Sequence, residues 1–152
     1  RTSLKDDKNM HKVFVFGTLK QGFPNFKFNQ GIRHGSDYVS KESYPLYLVG
    51  SRYSPWLVLD NGKGQPVKGQ VFLVSDQVLA EMDNLERVHE PDGYRKFSIQ
   101  VECVTSGKEF AAIVYGKLPE MAATADIKLE LAGEYLLEHA DLYRSREKAV
   151  SC

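Results

Sequence analysis

Apolar positions in this chain fall into short runs and, in one stretch, alternate with polar ones at a period of two. In two other segments they suit a helix instead. Residues 12–16, KVFVF, form an apolar run that stops at Gly17, with Gly22, Pro24 and Asn25 soon after, which predicts a buried strand ending in a tight loop. Phe97, Ile99, Val101 and Cys103 alternate with Ser98, Gln100 and Glu102, a strand pattern, and residues 110–115 should pair with it across a turn at Ser106 and Gly107. Further strands are predicted over 44–49, 56–59 and 70–74. The turn-rich NGKGQP stretch at 61–66 suggests a hairpin joining the last two. Toward the C-terminus, Ile127, Leu129, Leu131, Tyr135, Leu136 and Leu137 suit a terminal helix packed on the sheet.

The first helical segment runs over 76–86. Stepping about 100° per residue gathers Val78, Leu79, Met82, Leu85 and Glu86 into one arc of roughly 120°. A carboxylate therefore joins an apolar stripe. Ser75 suits the N-cap and Asp76 the positive end of the helix dipole, which puts Glu86 in the last turn, where free carbonyls disfavour another negative charge. Burial and dipole would both raise its pKa, as a general base in a pocket requires. The alternative is an edge residue that snorkels to water or pairs with Arg87 or Arg95.

Strands outnumber helices, and their hairpin-like order makes the chain α+β. The expected core is a mostly antiparallel sheet, able to curl into a barrel, with two or three helices outside it. A single domain over 12–143 is expected, between an unstructured arm at 1–11 and a loose tail at 144–152. Lys and Arg number 20, equal to Asp and Glu at 20, and no basic stripe is interleaved with aromatics, which argues against nucleic-acid or anionic-membrane partners. A small neutral or zwitterionic ligand and a monomer are expected. The absence of a long apolar run or a signal-like start, with two cysteines in unsuitable places for a disulfide, suggests a cytoplasmic protein.

Candidate chemistry is sparse. Gly17 after a buried strand lets the backbone turn and gather N–H groups into a concavity able to hold a carboxylate or an oxyanion, although such glycines are also commonly structural. His11, His34, His89 and His139 lack metal-ligand spacing, so no metal is expected. No GxSxG or phosphate-loop motif occurs, and no serine or cysteine is paired with a histidine by a local signature. Tyr94 and Tyr115 are placed to edge a pocket.

Taken together, VFVFGTLKQGFPN at 13–25, YPL at 44–46, PWL at 55–57, GQVF at 69–72 and LAEMDNLERVHEPDGYRK at 79–96 resemble the gamma-glutamylcyclotransferase-like superfamily, and within it the gamma-glutamylamine cyclotransferase and AIG2-like branch. The resemblance implies a small mixed, mostly antiparallel β-barrel with flanking helices. It also implies cofactor-free cleavage of a gamma-glutamyl amide to 5-oxoproline and a free amine. It assigns Glu86 as catalytic acid and base, and Phe16, Gly17, Thr18 and Leu19 as the substrate-binding strand-end motif, while Tyr94 and Arg95 resemble the family's Tyr and Arg pair just beyond the catalytic loop. Phe16 departs from the tyrosine usual in that motif. Two alternatives follow: a cyclotransferase for glutathione or gamma-glutamyl amino acids, or a non-catalytic protein that keeps the fold.

Overall fold

The structure, a computed structural model, describes residues 10–144. The expected N-terminal arm falls outside these residues except for Met10 and His11, and the expected tail except for Arg144. Strand β1 (His11–Val15) runs antiparallel to β5 (Gln65–Val74), whose other edge takes β2 (Ile32–Tyr44). β2 pairs with β6 (Arg95–Cys103) and β6 with β7 (Glu109–Gly116), both antiparallel. β7 then closes the barrel by lying parallel to β1, with Val13 opposite Ile113. The barrel is therefore mixed, through one parallel seam. β3 (Leu46–Val49), β4 (Ser54–Leu57) and β8 (Ile127–Glu130) make a second sheet in the order β4-β3-β8. It is joined to the end of β7 at Lys117, whose N–H donates to the Leu57 carbonyl at 2.9 Å and whose carbonyl accepts from the Leu59 N–H at 2.9 Å.

Side-chain alternation divides the core in two. Phe14 and Phe16 point with Val67, Val71, Val101 and Val114 into one cluster, while Val13 and Val15 join Phe72 and Val74 in another. Helix α1 (Asp76–Leu85) lies on the second cluster through buried Met82, with Val78, Leu79 and Leu85 beside it, the stripe that its spacing predicts. Full burial of such side chains is worth about 1.5–3 kcal/mol each, so the helix is anchored by its stripe more than by propensity. Its start is fixed where the sequence places it: the Ser75 hydroxyl accepts from the Val78 N–H at 3.2 Å. Helices α2 (Pro119–Ala123) and α3 (Leu137–Ala140) are short. Among the described residues no helix is long and apolar enough to cross a membrane.

Three expectations fail. The NGKGQP stretch does not turn a hairpin, because β4 pairs with β3 whereas β5 pairs with β1 and β2, so the turn passes the chain between sheets. The terminal helix over 127–137 is instead strand β8 followed by irregular chain, with helix only at α3. Ile127, Leu129 and Leu131 were spaced by two, and β3 offers them an edge, with Leu48 opposite Leu129. The strand expected over 44–49 is split by Pro45, Tyr44 ending β2 and Leu46 beginning β3. β2 itself escapes notice because its sequence, IRHGSDYVSKESY, is polar and carries two register shifts that break the alternation.

Candidate functional site

A cavity of about 730 Å³ opens beside the end of β1. Phe16, Gly17, Thr18, Leu19, Glu86, Tyr94 and Tyr115 all line it, so residues drawn from three separate stretches of the chain meet at one place. Its volume suits a small organic ligand, for which pockets run from about 300 to 1,000 Å³.

Glu86 is placed by the way α1 ends. It occupies the C-cap, and the next residue, Arg87, takes a left-handed conformation with φ 55°. The Arg87 N–H donates to the Asn84 carbonyl at 3.2 Å and the Val88 N–H to the Asp83 carbonyl at 3.1 Å. These paired bonds form a Schellman motif, which stops the helix and fixes the direction of the chain on leaving it. Arginine there, where glycine is usual, carries a backbone cost of about 1–2 kcal/mol, and such strain is often found beside functional sites.

The loop that follows is tied down at many points. The Tyr94 N–H donates to the Glu86 carbonyl at 2.9 Å, closing the loop on itself. Arg87 pairs with Asp92 at 3.0 Å, and this guanidinium holds the Asp92 carboxyl below the usual range. The Arg95 guanidinium donates to the carbonyls of Glu90 and Gly93, each at 3.1 Å, and of Pro91 at 3.3 Å. Both arginines are thus engaged in holding the loop. Gly93 lies so close to the Arg87 carbonyl that a Cβ would overlap it.

The turn after β1 also lines the cavity. A Cβ on Gly17 would stand 2.7 Å from Pro55 Cγ, so this glycine is required by close approach to β4. The Gly17 carbonyl accepts from the Lys20 N–H at 3.1 Å and the Thr18 carbonyl from the Asn25 N–H at 2.8 Å. Among the described residues, no backbone carbonyl accepts from the N–H groups of Gly17, Thr18 or Leu19. Pro55 links this turn to Tyr94, whose hydroxyl donates to its carbonyl at 2.8 Å.

Tyr115 of β7 donates its hydroxyl to Asp83 Oδ1 at 2.7 Å, while Lys96 Nζ lies 2.9 Å from Asp83 Oδ2. Burial, then the bond to Asp83, pushes the Tyr115 phenol well above its ordinary pKa, so it acts as a neutral donor. Sequence reasoning missed the rim. Arg52, Asn25, Asp141 and Tyr143 also line the cavity, and Asn25 Nδ2 bonds both Thr18 Oγ1 at 2.9 Å and the Tyr143 hydroxyl at 3.2 Å. No local motif announces Asp141 or Tyr143, because only the course of the chain after β8 brings them to the turn.

The sequence model described as "Gamma-glutamyl cyclotransferase, AIG2-like" matches residues 13–137. The gamma-glutamylaminecyclotransferase of Mus musculus is 36% identical over 98 residues, 61% of this chain and 64% of that protein, so the match spans just under two thirds of the relative's length. Gamma-glutamylaminecyclotransferase C of Danio rerio is 33% identical over 117 residues, 71% of this chain and 76% of the other. The crystal structure of an AIG2-like protein from Mus musculus matches with a TM-score of 0.76 at 30% identity, covering 91% of this chain and 98% of that one. The chain belongs to the gamma-glutamyl cyclotransferase, AIG2-like family.

Proposed function

We propose that this protein releases amines from gamma-glutamyl amides by intramolecular cyclisation, with gamma-glutamylamines such as gamma-glutamyl-epsilon-lysine preferred. The observation that carries the reading is the cavity lined by both Glu86 and the turn at Gly17, Thr18 and Leu19, whose N–H groups, among the described residues, are not used on backbone carbonyls. In the reaction the substrate's own alpha-amine attacks its gamma-carbonyl. A C–N bond forms to close the five-membered ring, the amine loses a proton, and the original amide C–N bond breaks as the departing nitrogen gains one. Glu86 takes the first proton and returns it to the leaving amine, a contribution of about 10²- to 10⁴-fold. The N–H groups of the Gly17 turn steady the glutamyl carboxylate or the developing oxyanion, and holding the chain bent contributes further by preorganisation. Because the nucleophile arrives with the substrate, the protein has to supply only proton transfer and shape. The relatives' names, gamma-glutamylaminecyclotransferase, favour an amine leaving group.

The test is a panel comprising gamma-glutamyl-epsilon-lysine, its N-acetylated form and glutathione, with 5-oxoproline and the released amine measured together. The first should react and the second should not. Turnover of the N-acetylated compound would refute cyclisation, preference for glutathione would reassign the substrate, and inertness toward all gamma-glutamyl compounds would make this a binding protein.

A further inference from the structure

Lysine is rarely buried in full, yet Lys117 is 2% exposed. Its backbone is held between Leu57 and Leu59 at the joint of the two sheets. Its Nζ donates to the Asp92 carbonyl at 2.7 Å and stands 4.4 Å from the ring centroids of both Trp56 and Tyr94. A carbonyl and two ring faces thus replace the water that an ammonium normally keeps. Tyr94 carries this arrangement to the cavity in two further ways, through its N–H on the Glu86 carbonyl at 2.9 Å and its hydroxyl on the Pro55 carbonyl at 2.8 Å. Pro55 in turn packs on Gly17. One buried cation therefore touches the ring of a residue that is bonded through its backbone to Glu86 and through its hydroxyl to Pro55, together with the loop between Glu86 and Tyr94.

We propose that Lys117 is a positioning residue of the cavity: its ammonium, clamped between Trp56 and Tyr94 and bonded to the Asp92 carbonyl, keeps Glu86 and the Gly17 turn in their working arrangement. The proposal rests on reading the cavity as a cyclotransferase site. Burial pulls the Lys117 ammonium down to about 8; Asp92 and Glu86 oppose that pull, and Arg95 and Arg87 add to it. Loss of the proton removes the cation from between the rings, so the clamp weakens in mildly alkaline solution.

Trp56 is the chain's one tryptophan, so its emission reports on the clamp without substrate. In the wild-type protein that emission should titrate with a midpoint at about 8. Lys117→Met should abolish the titration and raise thermal stability near neutrality, because a buried charge is removed. It should also lower kcat on the order of tenfold and raise KM, because Glu86 and the Gly17 turn both lose their placement, and remove the matching alkaline limb of the pH profile. Wild-type emission that is flat across this range, or a titration that survives in Lys117→Met, overturns the clamp whether or not any gamma-glutamyl compound is turned over. A lost titration with unchanged kcat overturns the positioning role. If the titration behaves as expected while no gamma-glutamyl substrate reacts, the clamp stands and the substrate reading falls.

Discussion

At the scale of single residues, two glycines set how closely the cavity's parts approach. With an added methyl at Gly17 only 2.7 Å from Pro55 Cγ, Gly17→Ala must push the turn away from β4. Since Pro55 is held through its carbonyl by Tyr94, the turn should be the part that moves, raising KM about tenfold or more with a smaller effect on melting temperature. Normal KM in a folded Gly17→Ala protein would make the turn purely structural. At Gly93 the obstacle is the Arg87 backbone rather than a side chain, so Gly93→Ala should lower both stability and activity, by at least about 1–3 kcal/mol in an unfolding titration. Lys117 makes a prediction with a definite sign. Its folded pKa of about 8 lies below the ordinary 10.5, so between those values the unfolded chain binds a proton that the folded chain has released. Stability should therefore rise with pH across this window, and the burial penalty should be present in full below it. Urea midpoints of wild type and Lys117→Met, compared near pH 7 and again near pH 9.5, should converge at the higher pH. Glu86 and Gly17 could be singled out from the sequence because each breaks a local pattern, a charge in an apolar stripe and a glycine at the end of an apolar run. Lys117 breaks no pattern, since its burial comes from the meeting of two sheets.

At the scale of elements, α1 shows how a helix can deliver one side chain. Its start is set by Ser75, its face by Met82 and its neighbours, and its end by the Schellman motif at Arg87. Ser75→Ala should cost about 1 kcal/mol of stability in chemical unfolding. It should leave catalysis nearly unchanged, because the opposite end of the helix carries Glu86 and is held independently by the loop to Tyr94. A large loss of activity in a folded Ser75→Ala protein would show that the helix cannot be treated as anchored at its far end. The frame of α1 was legible because cap, first-turn acid and 3.6-residue spacing all agree. β2 was not, since of its side chains only those of Tyr38, Ser40 and Tyr44 are buried. β8 was misread for a related reason: a short run whose apolar residues fit either period is decided by the available partner, and β3 supplies a strand edge.

At the scale of the whole molecule, the closed barrel brings the end of β1, the end of α1 and the start of β6 to one side, and the segment after β8 supplies the rim of the cavity. The α+β class and the mixed barrel could be anticipated, the latter through resemblance, but the second sheet and the Asp141 and Tyr143 rim depend on long connections that no local pattern encodes. In the proposed reaction Glu86 moves the proton in a cyclisation whose nucleophile belongs to the substrate. The most direct measurement is the rate of 5-oxoproline release from gamma-glutamyl-epsilon-lysine by wild type and by Glu86→Gln, with substrate binding and folding checked in parallel. The expected loss in kcat is about 10²- to 10⁴-fold for a variant that still folds and binds. Release by Glu86→Gln at a rate near that of wild type would contradict this role of Glu86.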